Sequence, residues 1–120
     1  MNVELAIKVY NHITSFPENY TELIWGEQTE KGTTAGIAGY VVLFSGLGKI
    51  KNGSIEITEI DNVKQDWVKI TQEELQIPFS VAFRMCVLCN EEQAKKAIGY
   101  IATGKLPNWK EIYQLHPQQW

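Results

Sequence analysis

With 120 residues, 44% of them apolar and 21% charged, the chain is long enough to bury a core without disulfides or metals and too evenly mixed for disorder, collagen or a coiled coil. No apolar run nears the ~20 residues of a membrane span, no basic-apolar leader opens the chain, and two cysteines make no disulfide framework, so a cytoplasmic protein with no membrane contact is expected. The net charge of −3 and a single arginine, Arg84, speak against a nucleic-acid partner, because arginine supplies most bidentate recognition of phosphates and base edges.

The first helix is expected to start from Asn2 as N-cap and to stop at Pro17, with Leu5, Ala6, Val9, Tyr10, Ile13 and Phe16 on its apolar side and His12 on the flank. Residues 17–31 read as a polar connector carrying Glu18, Glu22, Glu27 and Glu30, pinned by an apolar knot of Tyr20, Leu23, Ile24 and a buried Trp25. Residues 33–47 read as a central buried helix, with Ile37, Tyr40, Val41 and Phe44 on a bulky side and Ala35, Gly36, Gly39 and Gly46 on a small one. Each interior glycine costs about 1 kcal/mol against alanine, a loss that close approach of another helix over the small side offsets. Gly46-Leu47-Gly48-Lys49 follows this helix, the wrong order for a phosphate cradle, which needs its glycines before a helix N-terminus.

Alternation over 54–60 predicts a strand, paired across Asp61-Asn62 with 67–70 in a small hairpin insert spanning about 53–70. Three cap-plus-three spacings follow: Thr71 with Glu74, Asn90 with Gln93, and Asn108 with Glu111, each announcing a short helix. The first carries Leu75 and Ile77. A further helix restarts at Pro78 with Phe79, Ala82, Phe83, Cys86 and Val87 inward. Next, Ala94, Ala97, Ile98 and Ile101 face the core of a helix closed by Gly104 as its C′ residue. A terminal aromatic helix over about 108–116 carries Trp109, Ile112, Tyr113 and His116, with Trp120 in the tail beyond Pro117. The expected fold is therefore mainly α (α+β): one domain over 1–120, a compact bundle of about five helices around the central helix, with the β-hairpin insert.

Cys86-Val-Leu-Cys89 is the motif with a named chemistry. Its thiols fall near the end of a helix, where the dipole favours the neutral form, so they read as two small core residues. A zinc set would need His12 and His116 as well, and their spacing matches no zinc module; no metal or cofactor is expected. Neither histidine stands in a nucleophile-base context, and no pair of acids is singled out by an apolar pocket, so the balance leans away from an enzyme.

The run Lys31-Gly32-Thr33-Thr34-Ala35-Gly36-Ile37-Ala38-Gly39-Tyr40, after Pro17 and Trp25-Gly26 and before Leu47, resembles a family of short bacterial and phage proteins with a C-G-T-x-x-C-I-A-G-[WH] core. Lys31 and Gly36 stand where that family carries cysteines. The resemblance implies a bacterial or mobile-element origin and a bacterial host cytosol, and transfers no catalytic residue. On these grounds the expected function is non-enzymatic docking on another protein, in a sharper form inhibition of a host defence protein by a phage- or prophage-encoded chain. The expected contacts are the acidic insert (Glu56, Glu59, Asp61) and the aromatic end (Trp109, Tyr113, Trp120), large aromatics being the usual anchors of interfaces. The alternative is a small-ligand or nucleotide pocket, or a small enzyme, beside the glycine-bearing helix at Trp25, Gly36, Gly39 and Tyr40.

Overall fold

The computed structural model describes residues 1–30, 32–57 and 66–115. Among them the chain forms six α-helices and a four-stranded antiparallel sheet, so the fold is mainly α with a β part. No helix among the described residues is long and apolar enough to cross a membrane.

Helix α1 (Val3–Ser15) starts as its sequence dictates. Asn2 Oδ1 accepts the Leu5 N–H at 3.2 Å, while the Asn2 side-chain amide donates to Glu74 O at 3.0 Å, so the cap also ties the helix to a distant segment. Leu5, Ala6, Val9 and Ile13 are buried. Phe16, expected on the same face, is exposed, because the backbone leaves the helix there at φ −128° ahead of the 3₁₀ turn Pro17–Asn19.

The connector is more than a connector. Strand β1 (Gly26–Thr29) pairs with β2 (Gly32–Ala35), Glu27 opposite Thr34 and Gln28 opposite Thr33. Residues 33–35 therefore belong to a strand and not to the helix expected to begin at Thr33: Gly32 turns at φ +101°, and the β-branched threonines suit the pleat, with the Thr29 and Thr34 hydroxyls 3.2 Å apart. Helix α2 (Ile37–Phe44) is shorter than expected, and Ile37, Ala38, Gly39, Tyr40, Val41 and Val42 are all buried. Its small side does meet a backbone at close range, though not that of a helix. A Cβ on Gly39 would lie 2.0 Å from the Trp25 carbonyl oxygen and 2.8 Å from Ala35 Cβ.

The hairpin insert is also relocated. Strand β4 (Ser54–Ile57) pairs with β3 (Gly48–Lys51) on its N-terminal side, Ile50 opposite Ile55 and Lys49 opposite Glu56. Asn52 and Gly53 turn between them at φ 52° and 83°, the positive angles that an Asn-Gly hairpin turn requires. The sheet order is β2-β1-β4-β3, with Glu27 of β1 opposite Ser54. Residues 58–65, including the Asp61-Asn62 turn, lie outside the described residues.

Residues 67–70, expected as the second strand, open helix α3 (Trp67–Leu75) instead. Asp66 Oδ1 accepts the N–H groups of Val68 and Lys69 at 2.9 and 3.1 Å, and that local cap outweighs the β-branched composition. Thr71 is thus no cap. It is buried inside α3 and donates its hydroxyl to Trp67 O at 2.9 Å. Leu75 and Ile77 are buried on either side of Gln76, which takes a left-handed conformation.

From Pro78, α4 (Phe79–Phe83) runs into a π-helical turn (Arg84–Leu88), with the Cys89 N–H bonded to Arg84 O at 3.0 Å. The buried set is Val81, Ala82, Met85, Cys86 and Cys89, so of the expected face only Ala82 and Cys86 point inward, and Phe79, Phe83 and Val87 are exposed. The core here starts at Val81 and not at Phe79, and the wider π turn then brings Cys89 inward.

The expectations for α5 (Glu91–Ala102) hold: Asn90 and Gln93 form a reciprocal capping box, and Ala94, Ala97, Ile98 and Ile101 are buried. Gly104 at φ +81° donates to Ile101 O and Lys105 to Tyr100 O, a Schellman closure. Helix α6 (Trp109–Leu115) follows Asn108, whose Oδ1 accepts the Glu111 N–H at 3.2 Å, and buries Ile112. Helices α1 and α5 pack together, as do α2 and α3.

Candidate functional site

Gly36 gives α2 no side chain with which to cap its N-terminus. Glu22, from the segment before β1, supplies the missing acceptor: its Oε1 takes the Ile37 N–H at 3.0 Å and also lies 3.0 Å from the Tyr20 hydroxyl. A Cβ at position 36 would stand 2.8 Å from Glu22 Oε2 and 3.0 Å from Thr21 O, so the missing side chain is what lets the carboxyl in. Glu91, in the first turn of α5, steadies the same segment. Its Oε1 accepts from the Thr21 hydroxyl and the Glu22 N–H, each at 3.3 Å, and its carbonyl lies 3.1 Å from the Tyr20 hydroxyl.

Burial pushes the Glu22 carboxyl up to about 7; the Ile37 and Tyr20 donors pull the other way, and the like charge of Glu91 adds to the rise. A carboxyl that changes charge near neutrality beside a cleft marks a candidate site. The cleft is a cavity of about 280 Å³ lined by Glu22, Leu23, Ile24, Trp25, Cys86 and Val87. Trp25 is exposed and not buried as expected, and it lies flat on Trp67 with centroids 5.4 Å apart and planes 3° from parallel.

Behind the cleft, burial pushes the Cys86 thiol up, and pushes Cys89 up to about 11, so both stay neutral and unreactive as free thiols. Cys89 shares a hydrogen bond with Tyr113, and the Arg84 guanidinium lies 5.3 Å from the Trp109 ring centre and 6.0 Å from that of Tyr113. The sole arginine thus holds α6 against the π-helical turn. Trp109 and Tyr113, expected as partner contacts, are half-buried and stacked on each other at 6.0 Å.

The other expected contacts are scattered. Glu56 is exposed on β4 opposite Lys49, an ordinary cross-strand charge pair; Glu59, Asp61, His116 and Trp120 lie outside the described residues. Of the four expected pocket residues, Trp25 lines the cleft, Gly36 and Gly39 are covered by the 21–25 backbone, and the Tyr40 hydroxyl lies within hydrogen-bond reach of the main-chain oxygens of Asn19 and Thr33. The His12 ring rests on Tyr40 and Phe44, and burial lowers its proton affinity. Among the described residues no three His, Cys, Asp or Glu side chains gather into a metal-binding set. Glu22 was submerged in the sequence among four connector glutamates; its position between Tyr20 and Trp25, inside the apolar knot, is the signal that sets it apart.

Two further surface features matter. Phe79 (50% exposed), Phe83 (40%) and Val87 (47%) follow one another at four-residue spacing, and Leu23 (87%) and Trp25 (41%) meet Val87 at the cleft. A cavity of about 570 Å³ lies elsewhere, between α1, α5 and α6, where the Tyr10 ring covers Gly99 and Glu92, Lys95, Lys96 and Tyr100 line the walls. The chain matches no protein-family model, no curated protein and no solved structure.

Proposed function

We propose that the protein acts by docking on another protein, through the apolar strip that runs from Phe79 and Phe83 over Val87 to Leu23 and Trp25. The observation that carries this reading is the exposure of five large apolar side chains along that strip. Keeping them in water forgoes burial worth about 1.5–3 kcal/mol for each that would otherwise be enclosed, and a partner recovers it. Phe83 and Trp25 are the side-chain types that anchor interfaces, and Trp25 is held rigid by Trp67, which lowers the entropy lost on binding. In this reading α2 is the central rod of the helical bundle, and the strip is built on the elements packed around it. The sharper form, inhibition of a host defence protein in a bacterial cytosol by a phage- or prophage-borne chain, rests on the resemblance of residues 32–39.

The test is a photo-crosslinking scan of the whole chain in a bacterial host, with the probe at position 83, 56 or 109, together with the variant Phe83→Asp. Crosslinks to one protein from 83 and not from 56, and at least about a tenfold loss of affinity for that protein in Phe83→Asp with unchanged thermal stability, support the strip. Crosslinks from 56 or 109 alone, or undiminished affinity, overturn it. The 570 Å³ cavity beside Tyr10 and Gly99 favours a second reading, a small-ligand site, which a metabolite panel followed by tyrosine and tryptophan fluorescence would reveal.

A further inference from the structure

We propose that the cleft beside Glu22 receives one lysine side chain of the docked protein, a refinement that rests on the docking reading above. The cleft has the shape such an occupant needs. Leu23, Ile24, Trp25 and Val87 make apolar walls for a hydrocarbon stem, and Glu22 is the one charged group in the lining. A carboxyl withdrawn from water is stabilised by a cation, and none of the described residues brings one to Glu22. Its hydrogen-bond donors are the Tyr20 hydroxyl and the Ile37 amide, both neutral, and the charge acting on it is the like-signed Glu91.

The geometry selects an ammonium group over the alternatives. Glu22 Oε1 is already shared by two donors, which leaves Oε2, without a hydrogen bond among the described residues, as the free acceptor. A point-charge ammonium needs one oxygen, whereas a guanidinium makes its strong paired contact with both. An apolar occupant would bury the carboxyl further with nothing to offset the charge, and an acidic one would meet both Glu22 and Glu91. Trp25, fixed by its stack on Trp67, adds an aromatic wall beside the cation.

The coupling to protons follows. Among the described residues Tyr20, Cys86, Cys89 and Glu91 are the titratable groups that interact with Glu22, and burial keeps Tyr20 and Cys86 protonated, so neither competes for a cation. With the Glu22 carboxyl at about 7, roughly a tenth of it is ionised at pH ~6 and nine tenths at pH ~8. A cationic occupant therefore binds about tenfold more tightly at the higher pH.

The probe is pentylammonium, the Cα, four-carbon stem and charge of a lysine residue, titrated into the whole protein at pH ~8 while the Trp25 indole and Glu22 carboxyl resonances are followed. Pentan-1-ol serves as its neutral match. Expected are saturation by the amine at millimolar concentration, at least about tenfold preference over the alcohol, and the pH dependence above. Glu22→Gln, which keeps an acceptor for Ile37 and Tyr20, is expected to abolish the preference. Val87→Trp, on the exposed wall, is expected to block the cleft without touching Glu22. Equal binding of amine and alcohol, or a preference that survives Glu22→Gln, overturns the assignment. The partner found by crosslinking separates the two readings. If Phe83→Asp loses it while Glu22→Gln binds it unchanged, docking stands and the lysine falls; if Phe83→Asp keeps it, docking falls and takes the docked lysine with it, even where the amine binds.

Discussion

Glu22→Gln is expected to stabilise the protein at pH ~8 and to leave its stability unchanged at pH ~4. The carboxyl titrates at about 7 in the folded protein against 4.5 for an ordinary glutamate, so the folded state holds its proton more tightly than the unfolded chain does. The favourable contribution is therefore fully present below 4.5, declines as the unfolded chain ionises, and is gone once pH has risen through about 7. The gap corresponds to about 3 kcal/mol at 1.36 kcal/mol per pH unit. Water at the mouth of the cleft screens part of it, so a gain of about 1–3 kcal/mol at pH ~8 is the expected size. Glutamine is isosteric with the neutral acid and keeps an oxygen for the Ile37 N–H and the Tyr20 hydroxyl, which is why the two proteins match in acid. Urea unfolding of both proteins at intervals from pH ~4 to ~8 gives the difference directly, and titrations common to both, such as that of His12, cancel. A variant less stable than the parent at pH ~8 would refute the reasoning, since it would mean that the ionised carboxylate and its donors outweigh the burial penalty.

Two further substitutions probe the supports of the site. Gly39→Ala is expected to cost about 2–4 kcal/mol, because the new Cβ would sit 2.0 Å from the Trp25 carbonyl oxygen and the backbone must yield. The Trp25–Trp67 stack should loosen with it, visible as a weakened near-ultraviolet circular dichroism signal; full stability would mean that the 25 segment is not held against α2. Arg84→Met removes the guanidinium beside Trp109 and Tyr113 and is expected to speed amide exchange in α6 about five- to tenfold with little change in α1, whereas unaltered α6 exchange would show that Ile112 alone anchors that helix.

What the sequence determined on its own was the set of features whose partners lie within a few residues. Asn2 before Leu5, the Asn90-Gln93 box, Asn108 before Glu111 and Gly104 at a helix end are all local hydrogen-bond or backbone-angle requirements, and each was legible. The Asn52-Gly53 turn and the Asp66 cap are just as local, yet alternation over 54–60 and the β-branched run 67–70 pointed to a different pairing. Only the tertiary structure decided the rest. Whether 79–89 turns Phe83 or Met85 inward depends on where the core begins and on a π turn that no periodicity announces. The Glu22 cleft joins an amide 15 residues along the chain to a carboxylate 69 residues away, so its proton affinity belongs to the folded assembly and is absent from any window of sequence.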